Sequence, residues 1–153
     1  MTVTASARIE NTTEPVSTRN VAALLPGSEA PEDVFVYMAH WDHLGTDPKL
    51  EGDQIYNGAM DNASGTAALM EIARAYSSLP QAPRRSVLFL FFAAEEQGLL
   101  GSLYFARAGE PHPGTITADI NLELGNIWGR TRDVVVFARS SASDEATPLS
   151  PGG

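Results

Sequence analysis

The chain holds 153 residues, 43% of them hydrophobic, with 19 Asp and Glu against 10 Lys and Arg for a formal net charge of -9. This length and apolar content suit one domain with a real core and exclude a disordered polymer, while the acidity argues against nucleic acid as a partner, because phosphate contacts need clustered Lys and Arg. Cysteine is absent, which excludes disulfides, thiol nucleophiles and thiolate-bound zinc.

Residues 1–19 are rich in Thr, Ser and Glu and read as a loose N-terminal segment, without the apolar stretch of a secretory signal. Residues 20–25 predict a short strand closed by the Pro26-Gly27 turn, and 27–33 a loop. The run 34–39 is continuously apolar and β-forming, the pattern of a strand buried on both faces. The turn-rich, acidic stretch 45–58 predicts a surface loop. Asp61, Asn62 and Ser64 are candidate helix caps, and Ala68, Leu69, Ile72, Ala73, Tyr76 and Leu79 follow at helical spacing until Pro80 and Pro83 end the pattern.

Residues 86–94 contain the strongest buried-strand run, followed directly by Glu95 and Glu96. A short helix is predicted over 99–108, a proline-containing loop over 109–114, a strand over 116–124 and a fourth core strand over 134–137. The tail 140–153 is small, polar and ended by Pro and Gly, and is expected to be disordered. Strands alternating with helices predict an α/β three-layer sandwich with a mostly parallel central sheet. No apolar run nears the roughly 20 residues of a membrane span, so a soluble chain is expected, its compartment and oligomeric state undetermined.

Three predicted buried strands run into imidazole or acidic side chains: 34–39 into His40 and Asp42, 87–94 into Glu95 and Glu96, 116–122 into Glu123. Ligands of open α/β sheets bind at the carboxyl ends of strands. A helix beginning at Asp61 would add a further carboxylate to that rim. Clustered carboxylates repel one another and raise one another's pKa unless a counter-charge joins them, and a divalent cation supplies it. Zinc accepts His nitrogen and carboxylate oxygen and keeps a position open for water in catalytic sites. Asp42, two residues after His40, shares its strand face and is placed to orient the imidazole. The adjacent pair Glu95 and Glu96 suggests divided labour, one binding metal and the other moving a proton.

At these residues, His40-Trp41-Asp42-His43-Leu44-Gly45, Asp61-Asn62-Ala63-Ser64-Gly65, Ala94-Glu95-Glu96-Gln97-Gly98 and Gly101-Ser102, the chain resembles the dinuclear zinc aminopeptidases related to aminopeptidase Y and glutamate carboxypeptidase. The resemblance runs from about residue 20 to 137. It implies a partial zinc-exopeptidase-like domain over 20–139, incomplete at its C-terminus, two Zn2+ ions and a peptide substrate. Carried over residue by residue, it makes His40 a ligand of one zinc, Asp42 the carboxylate that orients it, Asp61 the bridge, Glu95 the general base and Glu96 a ligand of the other zinc. It also implies a cis peptide at Asp61–Asn62. Two departures stand out. Glu123 occupies a position where the family has Asp, reaching one methylene further. No histidine follows His112, so the second zinc is expected to lack the imidazole that the family supplies late in its chain.

Plainer roles compete for the same residues. His43 reads as structural or as pocket wall rather than as a ligand, and His112, between two prolines, as an exposed loop residue. Glu95 and Glu96 suit a helix N-terminus, Asp61 suits a cap, and Glu123 suits a plain edge position. Residues 126–130 are candidates for a pocket lining, with Trp128 equally suited to core packing. The functional expectation is an aminopeptidase hydrolysing the N-terminal peptide bond. Its alternatives are an inactive fragment that binds metal weakly, or a carboxypeptidase or glutaminyl cyclase branch of the same fold.

Overall fold

A computed structural model describes residues 5–12, 14–108, 114–123 and 129. The predicted strand at 134–137, the tail, His112, and residues 126–128 and 130 lie outside the described residues. In chain order the elements are β1 (Val21–Leu25), β2 (Ala30–His40), β3 (Gly45–Thr46), β4 (Ile55–Tyr56), α1 (Gly65–Ser77), β5 (Arg85–Phe92), α2 (Leu100–Ala108) and β6 (Thr115–Asn121). Four strands form one sheet in the order β1-β5-β2-β6. β2 runs parallel to both β5 and β6, and β1 closes the other side antiparallel to β5.

The apolar runs of β2 and β5 are continuous because both faces of these central strands are covered. On one face Val34, Val36, Leu88, Leu90 and Phe92 pack together under Phe105 of α2. On the other, Ala39, Val87 and Phe89 pack with Leu69, Ile72, Ala73 and Tyr76 of α1. The alternation along each strand has the two-residue period of a pleated chain, and it yields the predicted sandwich of helix, sheet and helix. Leu69, Val34, Val36, Leu88 and Leu90 are fully enclosed; burying a side chain of this size contributes about 1.5–3 kcal/mol.

Three sequence expectations are corrected. Residues 30–33, expected as loop, extend β2: the strand starts at Ala30 and takes in Pro31, with a register irregularity between Ala30 and Val34. Proline lacks the N–H of a regular ladder and is tolerated where the ladder is interrupted. The helix starts at Gly65, not Asp61; a wide turn, Ala59–Ser64, precedes it, with non-helical backbone at Asp61 and Asn62. Finally, β6 is exposed at all seven residues and forms the sheet edge among the described residues, rather than a buried strand. Within the expected surface loop at 45–58, β3 and β4 pair as a small exposed ribbon.

Candidate metal centre at the strand ends

β2 and β5 are adjacent and parallel, yet the helices that follow them cover opposite faces of the sheet. Where successive connections diverge in this way, a crevice opens beyond the strand ends. His40 closes β2 at that crevice, Glu95 and Glu96 follow β5, Glu123 follows β6, and Asp61 lies in the turn before α1.

The imidazole of His40 is 2% exposed, while its Nε2 stands 3.0 Å from Asp61 Oδ1, 3.4 Å from Glu123 Oε2 and 4.0 Å from Glu95 Oε2. Its other nitrogen, Nδ1, lies 3.2 Å from the backbone carbonyl of Asp42. A carbonyl can only accept, so Nδ1 carries the hydrogen and Nε2 faces the carboxylates. Asp42 was expected to orient His40 through its carboxylate. That carboxylate is 3.8 Å from Nδ1; its Oδ1 instead accepts from the Glu95 N–H at 3.3 Å. Asp42 thus fixes the imidazole with its main chain and the Glu95 segment with its side chain. Thr66 completes the clamp by donating to the His40 carbonyl at 2.8 Å.

Burial disfavours the charged imidazole, but Glu123, Glu95, the Asp42 carbonyl and Asp61 outweigh it and hold the His40 pKa above its ordinary value. The Glu95 carboxyl is also raised. Burial is the largest cause; His40 opposes it, and Glu123, Glu96 and Asp61 add to it. Neighbouring carboxylates contribute to both shifts.

The turn that carries Asp61 is pinned from below. Asn62 is buried; its Oδ1 accepts from the Gly65 N–H at 3.0 Å, and its Nδ2 donates to the Leu122 carbonyl at 2.9 Å. The Asp61–Asn62 peptide is cis, as expected. Gly65 is needed because a Cβ there would run into the Asn62 side chain and the Leu122 carbonyl. Asn62 thereby couples the Asp61 turn to the end of β6, where Glu123 begins. Its partner lies 60 residues away, so the sequence shows it only as a cap candidate.

The Glu95 segment is fixed in a similar way. Asn20 accepts from the Ala93 N–H at 3.1 Å and donates to the Gly101 carbonyl at 2.8 Å. Ala94 adopts φ +55°, a left-handed conformation uncommon outside glycine, where the chain leaves β5 and turns Glu95 and Glu96 onto the rim. His43, read from sequence as structural or pocket wall, places Nδ1 2.5 Å from Glu96 Oε1. Beside the rim lies a cleft of about 890 Å³, lined in part by Asp42, His43, Arg19, Leu90, Leu100 and Tyr104; nothing in the sequence marks it, since its walls come from four separate segments.

Three groups of side chains bring candidate ligand atoms within 4.8 Å of one another: His40, Asp61 and Glu123; His43, Asp61 and Glu96; and His40, Glu95 and Glu96. The donor set is imidazole nitrogen and carboxylate oxygen, which suits zinc, and the crowded carboxylates around a buried imidazole fit a cation. Of the four predicted ligands, His40, Asp61 and Glu123 share one group, while Glu96 joins His40 in another and Asp61 in the third.

The model of peptidase family M28 matches residues 20–149. The chain belongs to peptidase family M28. A probable zinc metalloprotease of Pyrenophora teres f. teres is 36% identical over 111 residues, covering 72% of this chain and 23% of that protein. Another, from Leptosphaeria maculans, is 42% identical over 110 residues, covering 72% of this chain and 25% of that protein. The crystal structure of Legionella pneumophila LapA aligns with a TM-score of 0.51 at 26% identity, over 69% of this chain and 27% of that one. The chain spans about a quarter of the length of the curated relatives it matches. Membership in M28 agrees with the α/β fold and the zinc-peptidase resemblance read from the motifs. No helix among the described residues is long and apolar enough to cross a membrane.

Proposed function

We propose that this rim is the catalytic end of a zinc exopeptidase that removes residues from the N-terminus of peptides. The observation that carries the reading is the buried His40 imidazole facing Asp61, Glu123 and Glu95 at 3.0–4.0 Å. His40, Asp61 and Glu123 would hold one zinc, and Asp61 and Glu96 would contribute to a second. Zinc held there would supply Lewis-acid polarisation of a carbonyl and a lowered pKa for water.

The remaining chemistry belongs to the side chains. Glu95 takes a proton from the attacking water and delivers it to the departing amine. Its carboxylate stands at the rim, 4.0 Å from His40 Nε2, where a side chain can act as base on a bound water. The Asp42 carbonyl keeps the Nδ1 hydrogen in place, and the Asp42 carboxylate holds the Glu95 backbone. Charge favours the amino end of a substrate. Asp42, Asp61, Glu95, Glu96 and Glu123 outnumber the four positive charges of two divalent cations, so the rim attracts a free α-ammonium and repels an α-carboxylate.

Aminoacyl-nitroanilides and N-blocked peptides with a free C-terminus separate the possible activities. Zinc-dependent, EDTA-sensitive release of nitroaniline is the expected result. Release of C-terminal residues alone would replace the aminopeptidase reading with a carboxypeptidase. Zinc uptake with no turnover of either substrate would make this polypeptide a metal-binding, inactive one.

A further inference from the structure

We propose that Asn20 is a positioning residue for Glu95: its side-chain amide clamps both ends of the 94–100 loop and so holds the Glu95 carboxylate on the rim. The inference rests on the peptidase reading above, which makes Glu95 the base, and it adds a residue that touches neither metal ligands nor substrate.

The ladder between β1 and β5 ends at the pair of Val21 and Phe91. Just beyond it, the Arg19 carbonyl accepts from the Trp41 indole N–H at 3.2 Å, and the Trp41 main-chain N–H donates to the Phe92 carbonyl at 2.9 Å. From there on the Asn20 side chain does the work of a neighbouring strand. Its Oδ1 accepts from the Ala93 N–H at 3.1 Å, and its Nδ2 donates to the Gly101 carbonyl at 2.8 Å. A side-chain amide has one carbonyl and one NH2 group, so it can stand in for a peptide unit. The Ala93 N–H can only donate and the Gly101 carbonyl can only accept, which fixes the orientation of the amide.

The clamp sits where the loop closes. The Gly101 N–H donates to the Ala93 carbonyl at 3.0 Å, so Asn20 bonds to both residues of that closure. Gly101 is buried, and a Cβ there would run into the Ala93 carbonyl and the Asn20 amide oxygen. Between the closed ends, Ala94 and Leu99 hold φ values of +55° and +62°, left-handed conformations that side-chain-bearing residues keep only where their surroundings impose them. The Glu95 carbonyl accepts from the Gly98 and Leu99 N–H groups at 2.9 and 2.8 Å, which ties the Glu95 main chain to the loop. From outside the loop, the Glu95 N–H reaches the Asp42 carboxylate at 3.3 Å, a longer contact than either bond of Asn20.

An asparagine that merely stabilised the fold would act on the whole sheet, whereas a positioning one acts on the loop. The test uses the complete 153-residue chain, followed by amide hydrogen exchange and by zinc-dependent turnover of aminoacyl-nitroanilides. In the unsubstituted chain, the Ala93 N–H and one Asn20 side-chain proton are expected to exchange slowly; fast exchange of both would overturn the clamp without any variant. In Asn20→Ala, the amides of Ala93, Glu95, Leu99 and Gly101 should exchange about tenfold faster, while those of Val87 and Phe89 keep their rates. Turnover should show kcat reduced about 10–100-fold with KM unchanged. Asn20→Asp keeps the acceptor for Ala93 but sets a carboxylate oxygen against the Gly101 carbonyl. It should slow Ala93 exchange again and leave kcat below that of the unsubstituted chain. Faster exchange throughout β5 and α1, or a loosened loop with full kcat, would overturn the proposal. An unsubstituted chain that hydrolyses nothing would overturn the peptidase reading instead, and the exchange pattern would still decide the clamp.

Discussion

In the proposed reaction, His40 and Glu95 divide the chemistry of the rim between a nitrogen that would ligate zinc and an oxygen that would move a proton. Replacing Glu95 by Gln keeps the shape and removes the base. Peptide hydrolysis should fall by about 10²–10⁴-fold while metal content, measured by mass spectrometry, stays unchanged; an undiminished rate would remove Glu95 from that role. Away from the rim, Tyr37 and Tyr76 meet hydroxyl to hydroxyl at 3.4 Å. The Tyr76 hydrogen bond, then burial, pushes the Tyr37 phenol from 10.0 up to about 12. Because the folded pKa is raised, this group's stabilising effect is complete below pH 10 and is lost as pH climbs through about 12. An ultraviolet titration should show one phenol ionising near pH 12, and Tyr76→Phe should bring it back toward 10; a late phenol that persists in the variant would contradict this origin. At this scale the sequence was legible where a chemical group directly follows an apolar run or a turn, as His40, Glu95 and Glu96 do. It was silent on Asn20, and on the way Asp42 splits its contacts between main chain and carboxylate, because these depend on partners 53 to 81 residues away.

The elements matter through the joints between them. Asn62 joins the Asp61 turn to the first residue of α1 and to the chain just past β6. Asn62→Ala would leave the Gly65 N–H and the Leu122 carbonyl without those partners, at a cost of about 1–3 kcal/mol for a buried group left unpaired. Denaturant unfolding should show that loss, and zinc affinity should fall with it, since Asp61 and Glu123 lose their common support. Unchanged stability and affinity would mean that the turn is held by other contacts. The strands at 34–39 and 86–92 were legible because burial on both faces produces unbroken β-forming runs. The extension of β2 across Pro31 was not, because proline and two acids suggest a loop unless the interrupted ladder is known. Of the three caps the sequence offers for α1, Ser64 is the one that precedes the helix, while Asp61 and Asn62 form a non-helical turn.

For the molecule as a whole, topology explains why distant motifs meet. Parallel β2, β5 and β6 end at one edge, and α1 and α2 leave toward opposite faces. Every group that follows one of these strands therefore faces a common crevice, and a functional reading could be made before any coordinates by noting what each strand runs into. What the pattern could not give was exposure. β6, expected as a buried strand, carries Ile116 and Ile120, each 41% exposed. Nor could it give the cleft beside the rim, whose walls meet only in three dimensions. The proposed peptidase requires a cation among His40, Asp61 and Glu123, and anomalous diffraction at the zinc edge from zinc-soaked crystals locates such an ion without reference to activity. A peak within bonding distance of His40 Nε2 and the Asp61 carboxylate is expected, with His40→Ala abolishing it; zinc bound elsewhere on the chain, with this rim empty, would contradict the assignment.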